Sequence, residues 1–203
     1  MGEVEGVSGA ASDAKLFEAG PDWWNNACLN WSHSQLNLYV AGYKEAADII
    51  VREVMEHHRN QDVLVFPVVF LYRHYIELQL KGIIAYLHKL LDEPAEVPAG
   101  HRIDVLWGEA RSLWKRADLY PEDASFIRAT DLITELARCD EKSTTFRYPF
   151  ERDGSRPLAG ISHINLRNTA ERIAEVAEVL KGMSTAIDVS LDLKWEFEQD
   201  MRP

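Results

Sequence analysis

The chain has 203 residues, of which 46% are apolar and 27% charged. This composition excludes a disordered chain and supports one domain with a real core. The net charge of −11 excludes general sliding along or wrapping of nucleic acid, because each phosphate contact needs a cation; it leaves room for a local basic pocket.

Met1 to Gly20 is acidic and rich in Gly, Ala and Ser, with neither a basic start nor an apolar stretch. It reads as a disordered leader, not a signal peptide, and places one helical domain over 21–203. Trp23-Trp24 beside the leader is expected to cap the bundle, with anchoring of a partner as the other role. Cys28 and Cys139 have no CxxC spacing. Two buried, reduced thiols in a cytoplasmic protein are expected. No apolar run is read as approaching the ~20 residues that span a bilayer, so no membrane is expected.

From about 27 to 59, Leu29, Leu36, Tyr39, Ala47, Ile50, Val51 and Val54 recur at helical steps. Asn60-Gln61-Asp62 breaks the pattern. From 63 to 91 the sequence is apolar almost all round, which predicts a central helix packed on several sides. Pro67 is placed in its first turn, so the helix proper would begin near Phe66. A linker with Pro94 and Pro98 follows, then a shorter helix over about 103–115. Pro121 marks the next helix start, and its apolar face runs to about 138. An irregular loop over 140–162 is punctuated by Pro149, Gly154, Pro157 and Gly160. A further helix spans about 163–181 and stops at Gly182. Over 187–197 apolar and polar residues alternate, which suits a short strand, while the same residues also suit a helix. Thr144 to Phe150 is the one plausible strand partner. The fold class is all-α, a helical bundle around one long central apolar helix, with a C-terminal helix or short strand.

Arg73, Glu77 and Lys81 stand at i, i+4 and i+8 on the most apolar helix. They share one face. His74 lies beside them, and His88 continues the row. Buried charges must be paired, and the segment CDEKSTTFRYPF supplies Asp140, Ser143, Arg147 and Tyr148. We expect Arg73, His74, Glu77, Lys81, His101, Asp140 and Arg147 to converge. One reading is an ion-pair network that docks the loop on the central helix. The other is a pocket in which Arg73, Lys81, His101, Asp140 and Arg147 bind an anionic ligand such as phosphate, with His74 or Glu77 as general base.

The block Phe70 to Ile84, FLYRHYIELQLKGII, resembles the signature helix of HEPN-like domains, the helical nucleotide-binding domains shared by prokaryotes and higher eukaryotes. Gly100-His101-Arg102-Ile103 with Leu106-Trp107 resembles their second element, and Asp140 to Pro149, ending in FRYP, a loop of a bacterial branch. The resemblance covers about 42–180. It implies a helical bundle, often a homodimer, associated with RNA cleavage or with a partner nucleotidyltransferase or antitoxin, in toxin–antitoxin or phage-defence settings. Catalytic members carry Arg and then His, with four to six residues between them, near the start of a late helix. Here Arg167-Asn168 opens that helix, and Arg172, Ile173 or Ala174 fills the His position. Arg156 with His163 is the best-placed alternative catalytic pair; Arg52 with His57 and His58 is another spacing match.

His74 and Glu77, with Glu45 and Asp48 on the neighbouring helix, faintly resemble a carboxylate-bridged metal site, but the Glu-x-x-His repeat is missing. No metal and no cofactor is implied. His57-His58 is expected to cap a helix end. The leading expectation is a nucleotide- or RNA-directed protein. The alternatives are an inert dimerisation or partner-binding module and a metal-dependent hydrolase.

Overall fold

The computed structural model describes residues 15–201 apart from 33, 96, 120, 121, 152 and 159. Most of the leader and the expected helix start at Pro121 lie outside the described residues. The chain divides into two compact units, one ending at Gln35 and the other beginning at Leu36.

In the first unit, a 3-10 turn spans Trp23–Asn25. The Trp23 and Trp24 rings meet edge to face at 6.2 Å. Both are exposed. The helix expected from residue 27 begins only at Gln35. Asn30 adopts a left-handed φ of 58°, and the Ser34 amide donates to Ser32 Oγ at 3.1 Å. Such local bonds compete with a helix. Cys28 lies in this irregular stretch and is exposed, while Cys139 is half-buried at a helix end. Neither thiol is core, contrary to the expectation.

The second unit is a bundle of helices α1 (Gln35–His57), α2 (Gln61–Leu90), α3 (Ile103–Arg116), α4 (Ala124–Cys139) and α5 (Leu166–Asp200). Among the described residues the fold is all-helical, with 67% of them in helices and no strand. α2 packs against α3 and α5, and α4 against α3 and α5. α1 adds Ala47, Val51 and Val54 to the same core. Gly82 of α2 gives the start of α1 room, since a Cβ there would lie 3.2 Å from Leu36 Cδ2.

The break between α1 and α2 is sharp because His58 and Asn60 both take left-handed φ values, 50° and 64°. α2 therefore starts at Gln61, and Pro67 falls in the helix interior instead of the first turn. The missing amide leaves the carbonyl of Val63, four residues back, without its donor. Val63 is exposed, so water can serve that carbonyl.

α2 also corrects the membrane reading of the sequence. By length and composition it could cross a bilayer, with an 18-residue window of mean hydropathy 1.3. Yet Val68, Ile76, Leu80, Ile84 and Leu87 are fully buried within the bundle. The helix also carries Arg73, Glu77 and Lys81 inward. It is the core helix of this fold.

α5 does not stop at Gly182. A helical glycine costs about 1 kcal/mol, and the burial of Met183 and Ile187 just beyond it outweighs that cost. The helix-or-strand ambiguity over 187–197 resolves as helix. Thr144 to Phe150, its one possible strand partner, forms turns instead.

Candidate functional site

α2 and the loop after α4 build the polar centre together. Arg73 has no exposed surface. Its Nη1 donates to Glu77 Oε2 at 3.0 Å, its Nη2 to the His101 carbonyl at 2.7 Å, and its Nε to the Asp140 carbonyl at 3.2 Å. Lys81 Nζ donates to Glu77 Oε1 at 2.9 Å, and His101 Nδ1 lies 2.8 Å from that same oxygen. One carboxylate thus gathers three partners, two from its own helix at four-residue spacing.

Asp140 holds the loop. Its Oδ1 accepts from the amides of Thr144 and Thr145 at 2.8 and 3.0 Å. Its Oδ2 lies 3.2 Å from Arg73 Nε but takes no hydrogen bond among the described residues, because the Nε proton is directed at the Asp140 carbonyl. The contact is electrostatic only. Ser143, at a left-handed φ of 60°, makes the turn that brings both threonine amides back to the carboxylate. That turn is local backbone chemistry, which side-chain spacing does not reveal.

Burial alone would push the Glu77 carboxyl up. Hydrogen bonds from His101, Lys81 and Arg73 and the charge of Lys81 outweigh it and hold the carboxyl below its ordinary value. Glu77 is therefore a fixed anion near neutral pH and a poor proton acceptor. The cations Arg73 and Lys81 face the carboxylates Glu77 and Asp140, which leaves no surplus charge for an anion. The stripe meets solvent mainly at His101, whose side chain is 66% exposed.

The structure brings Arg73, Glu77, Lys81, His101 and Asp140 together. His74 and Arg147 lie apart from them. His74 packs edge to face on Tyr43 at 4.4 Å and stacks on Phe70 at 5.8 Å. Desolvation in that setting, helped by nearby Arg73, Lys81 and His101, lowers its pKa against the pull of Glu77. The Arg147 guanidinium sits 5.6 Å from the centre of the Phe70 ring and 5.3 Å from that of Tyr148. Tyr43, His74, Phe70, Arg147 and Tyr148 thus form a continuous column of flat groups outside the ion-pair network. Tyr43 and Phe70 carry no chemical signature in sequence; only the interleaving of Phe146, Arg147, Tyr148 and Phe150 hints at such a column. His88 turns to the linker, with Nδ1 2.8 Å from Glu93 Oε2.

Beside this column a cavity of about 450 Å³ is lined by Phe66, Thr145, Phe146, Arg147, Tyr148, Pro149, Arg156, Pro157 and Leu158. Among the described residues its lining holds two arginines and no carboxylate. A second cavity, of about 590 Å³, lies between α4 and α5 and includes Glu135, Arg138, His163, Asn168 and Arg172. Phe146 lines both. Arg156 and His163 therefore open onto different cavities, and His163 Nδ1 is engaged 3.1 Å from Ser162 Oγ.

The carboxylates weighed for a metal site are spread out. Asp48 accepts from Tyr72 Oη at 2.7 Å and pairs with Lys44 at 2.7 Å, while Glu45 pairs with Arg52. Among the described residues, Glu53, Glu56 and His57 come within reach of one ion, all exposed at the end of α1. His57 Nδ1 lies 3.1 Å from the Glu53 carbonyl there.

No protein-family model matches the chain, and neither a curated protein nor a solved structure does.

Proposed function

We propose that this chain is a HEPN-like, cytoplasmic helical protein that binds a nucleotide-class ligand, a planar ring bearing phosphate. The binding surface in this reading is the cavity of Phe66, Arg147, Tyr148 and Arg156. The observation that carries it is the pairing of two arginines with exposed aromatic side chains in a lining that holds no carboxylate among the described residues. Guanidinium groups bind phosphate through paired donors and also stack on rings. Phe66 and Tyr148 offer π-faces to a base. The buried stripe supports the site from behind, since the Asp140 turn that Arg73 anchors leads directly into Thr145, Arg147 and Tyr148.

The net charge of −11 favours a mononucleotide or a short end over a long polyanion. Among the described residues the lining has neither carboxylate nor imidazole, so the cavity is fitted to binding more than to proton transfer. The defence or toxin–antitoxin setting rests on the sequence resemblance of the Phe70–Ile84, Gly100–Trp107 and Asp140–Pro149 blocks alone.

The test is a thermal-shift and equilibrium-binding panel with AMP, ATP, adenosine and inorganic phosphate. AMP or ATP should raise the melting temperature of the wild type by mass action. Arg156→Ala and Tyr148→Ala, both surface changes, should fold normally and lose the shift. No shift with any nucleotide, or a shift that persists in both variants, overturns the reading.

A further inference from the structure

The C-terminal part of α5, with its cap residue Met201, carries two rows that stand exposed among the described residues. Val189, Leu193, Phe197 and Met201 recur every four residues and are 53%, 60%, 67% and 69% exposed. Four-residue spacing sets them on one face, along about 18 Å of helix. Asp188, Asp192, Glu196 and Asp200, also at four-residue steps, form an adjoining row. Among the described residues none of these four carboxylates makes an ion pair. Each like-charged i, i+4 pair opposes the helix by roughly 0.2–0.5 kcal/mol.

The end of α5 is nevertheless held in place. Lys194 donates to the Leu90 carbonyl at 3.0 Å and pairs with Asp92 at 2.6 Å, on the side of the helix opposite the acidic row. Ile187 and Leu191 pack inward. The exposed row is thus the outer face of an anchored helix.

We propose that this face docks a basic amphipathic helix of a partner protein. The partner's apolar side would cover Val189, Leu193, Phe197 and Met201, with Lys or Arg residues set beside that side to meet the acidic row. Charge selects this occupant. The net charge of −11 opposes a second copy, an antiparallel one would bring acidic row against acidic row, and an anionic lipid surface would be repelled by the same row. The proposal is independent of nucleotide binding at the Arg147–Arg156 cavity.

The probe is a synthetic helical peptide of about 20 residues, with a leucine row flanked by a lysine row, and a matched peptide with glutamate for lysine. Fluorescence anisotropy with the full chain should show the lysine peptide bound at least about tenfold more tightly, an advantage that shrinks with salt. Leu193→Ser with Phe197→Ser should abolish binding without loss of helical circular dichroism. Asp192→Lys with Glu196→Lys should reverse the preference between the peptides. Equal binding of both peptides, no binding of either, or a preference unchanged by the lysine substitutions overturns the proposal. Concentration-dependent dimerisation in sedimentation that the serine variant abolishes would assign the face to a second copy, and would overturn it too.

Discussion

Arg73 and Asp140 lie 67 positions apart in sequence, and the guanidinium Nε of the first donates to the backbone carbonyl of the second at 3.2 Å. The Asp140 carboxylate also comes within 3.2 Å of that nitrogen, while its other oxygen folds the following loop through the amides of Thr144 and Thr145. A central helix thereby fixes the surface segment that carries Arg147 and Tyr148. The link runs from core electrostatics to the shape of the proposed binding cavity.

Breaking the network from its centre should be costly. Glu77→Gln leaves Arg73 and Lys81 buried beside a neutral group, and the expected loss is about 3–5 kcal/mol, measured by urea denaturation. Replacing the pair together, Arg73→Met with Glu77→Leu, should recover part of that loss. A Glu77→Gln cost below about 1 kcal/mol would show that the buried pair does not hold the fold.

Acid should destabilise the protein in two stages. The His74 pKa is lowered from 6.5, first by desolvation, so the unfolded chain binds that proton more readily. Its contribution is present above pH 6.5 and is lost as pH falls through the folded-state value. Glu77 is lowered from 4.5 despite burial, and its contribution is lost on acidification below that point. The melting temperature should therefore drop first below pH 6.5 and again below pH 4.5. His74→Phe should flatten the first stage and leave the second. An unchanged first stage in that variant would assign it to another group.

The Tyr72 hydroxyl is buried and donates to Asp48 Oδ1 at 2.7 Å. Burial first, then this bond and the carboxylate charge, push its pKa well above 10.0. Tyr72→Phe removes the bond but leaves Asp48 paired with Lys44, so the expected cost is about 1 kcal/mol. Tyr75, similarly desolvated with Asp48 and Glu178 nearby, is pushed up to about 12. Spectrophotometric titration of the native protein should show both phenols ionising late; Tyr72→Phe should remove the later step.

Leu80 lies on α2 with no exposed surface. Leu80→Ala should cost about 2–5 kcal/mol through lost burial and the cavity left behind, read as a lower denaturation midpoint. A cost under about 1 kcal/mol would mean that α2 is not the packed centre of the bundle.

The sequence by itself determined what depends on near neighbours. Helical spacing predicted the buried positions Ala47, Val51 and Val54 of α1, although Leu29 and Tyr39 of the same pattern are exposed, and the apolar girth of 63–91 marked α2 as central. The i, i+4 steps of Arg73, Glu77 and Lys81 put them in mutual contact, because a helix fixes that geometry whatever surrounds it. Tertiary structure alone decided where the loops dock. His101 and Asp140 reach the stripe, whereas Arg147 turns outward over Phe70, since a loop's course depends on contacts far away in sequence.

The ambiguous stretch 187–197 shows the limit most directly. Its strand-like alternation is two helical rows two residues out of step. Ile187 and Leu191 form the packed row, which continues to an exposed Trp195; Val189, Leu193 and Phe197 form the exposed one. Two interleaved four-residue periods read as a period of two. Packing of the first row on the bundle, which local sequence does not contain, makes the segment a helix and leaves the second row facing outward.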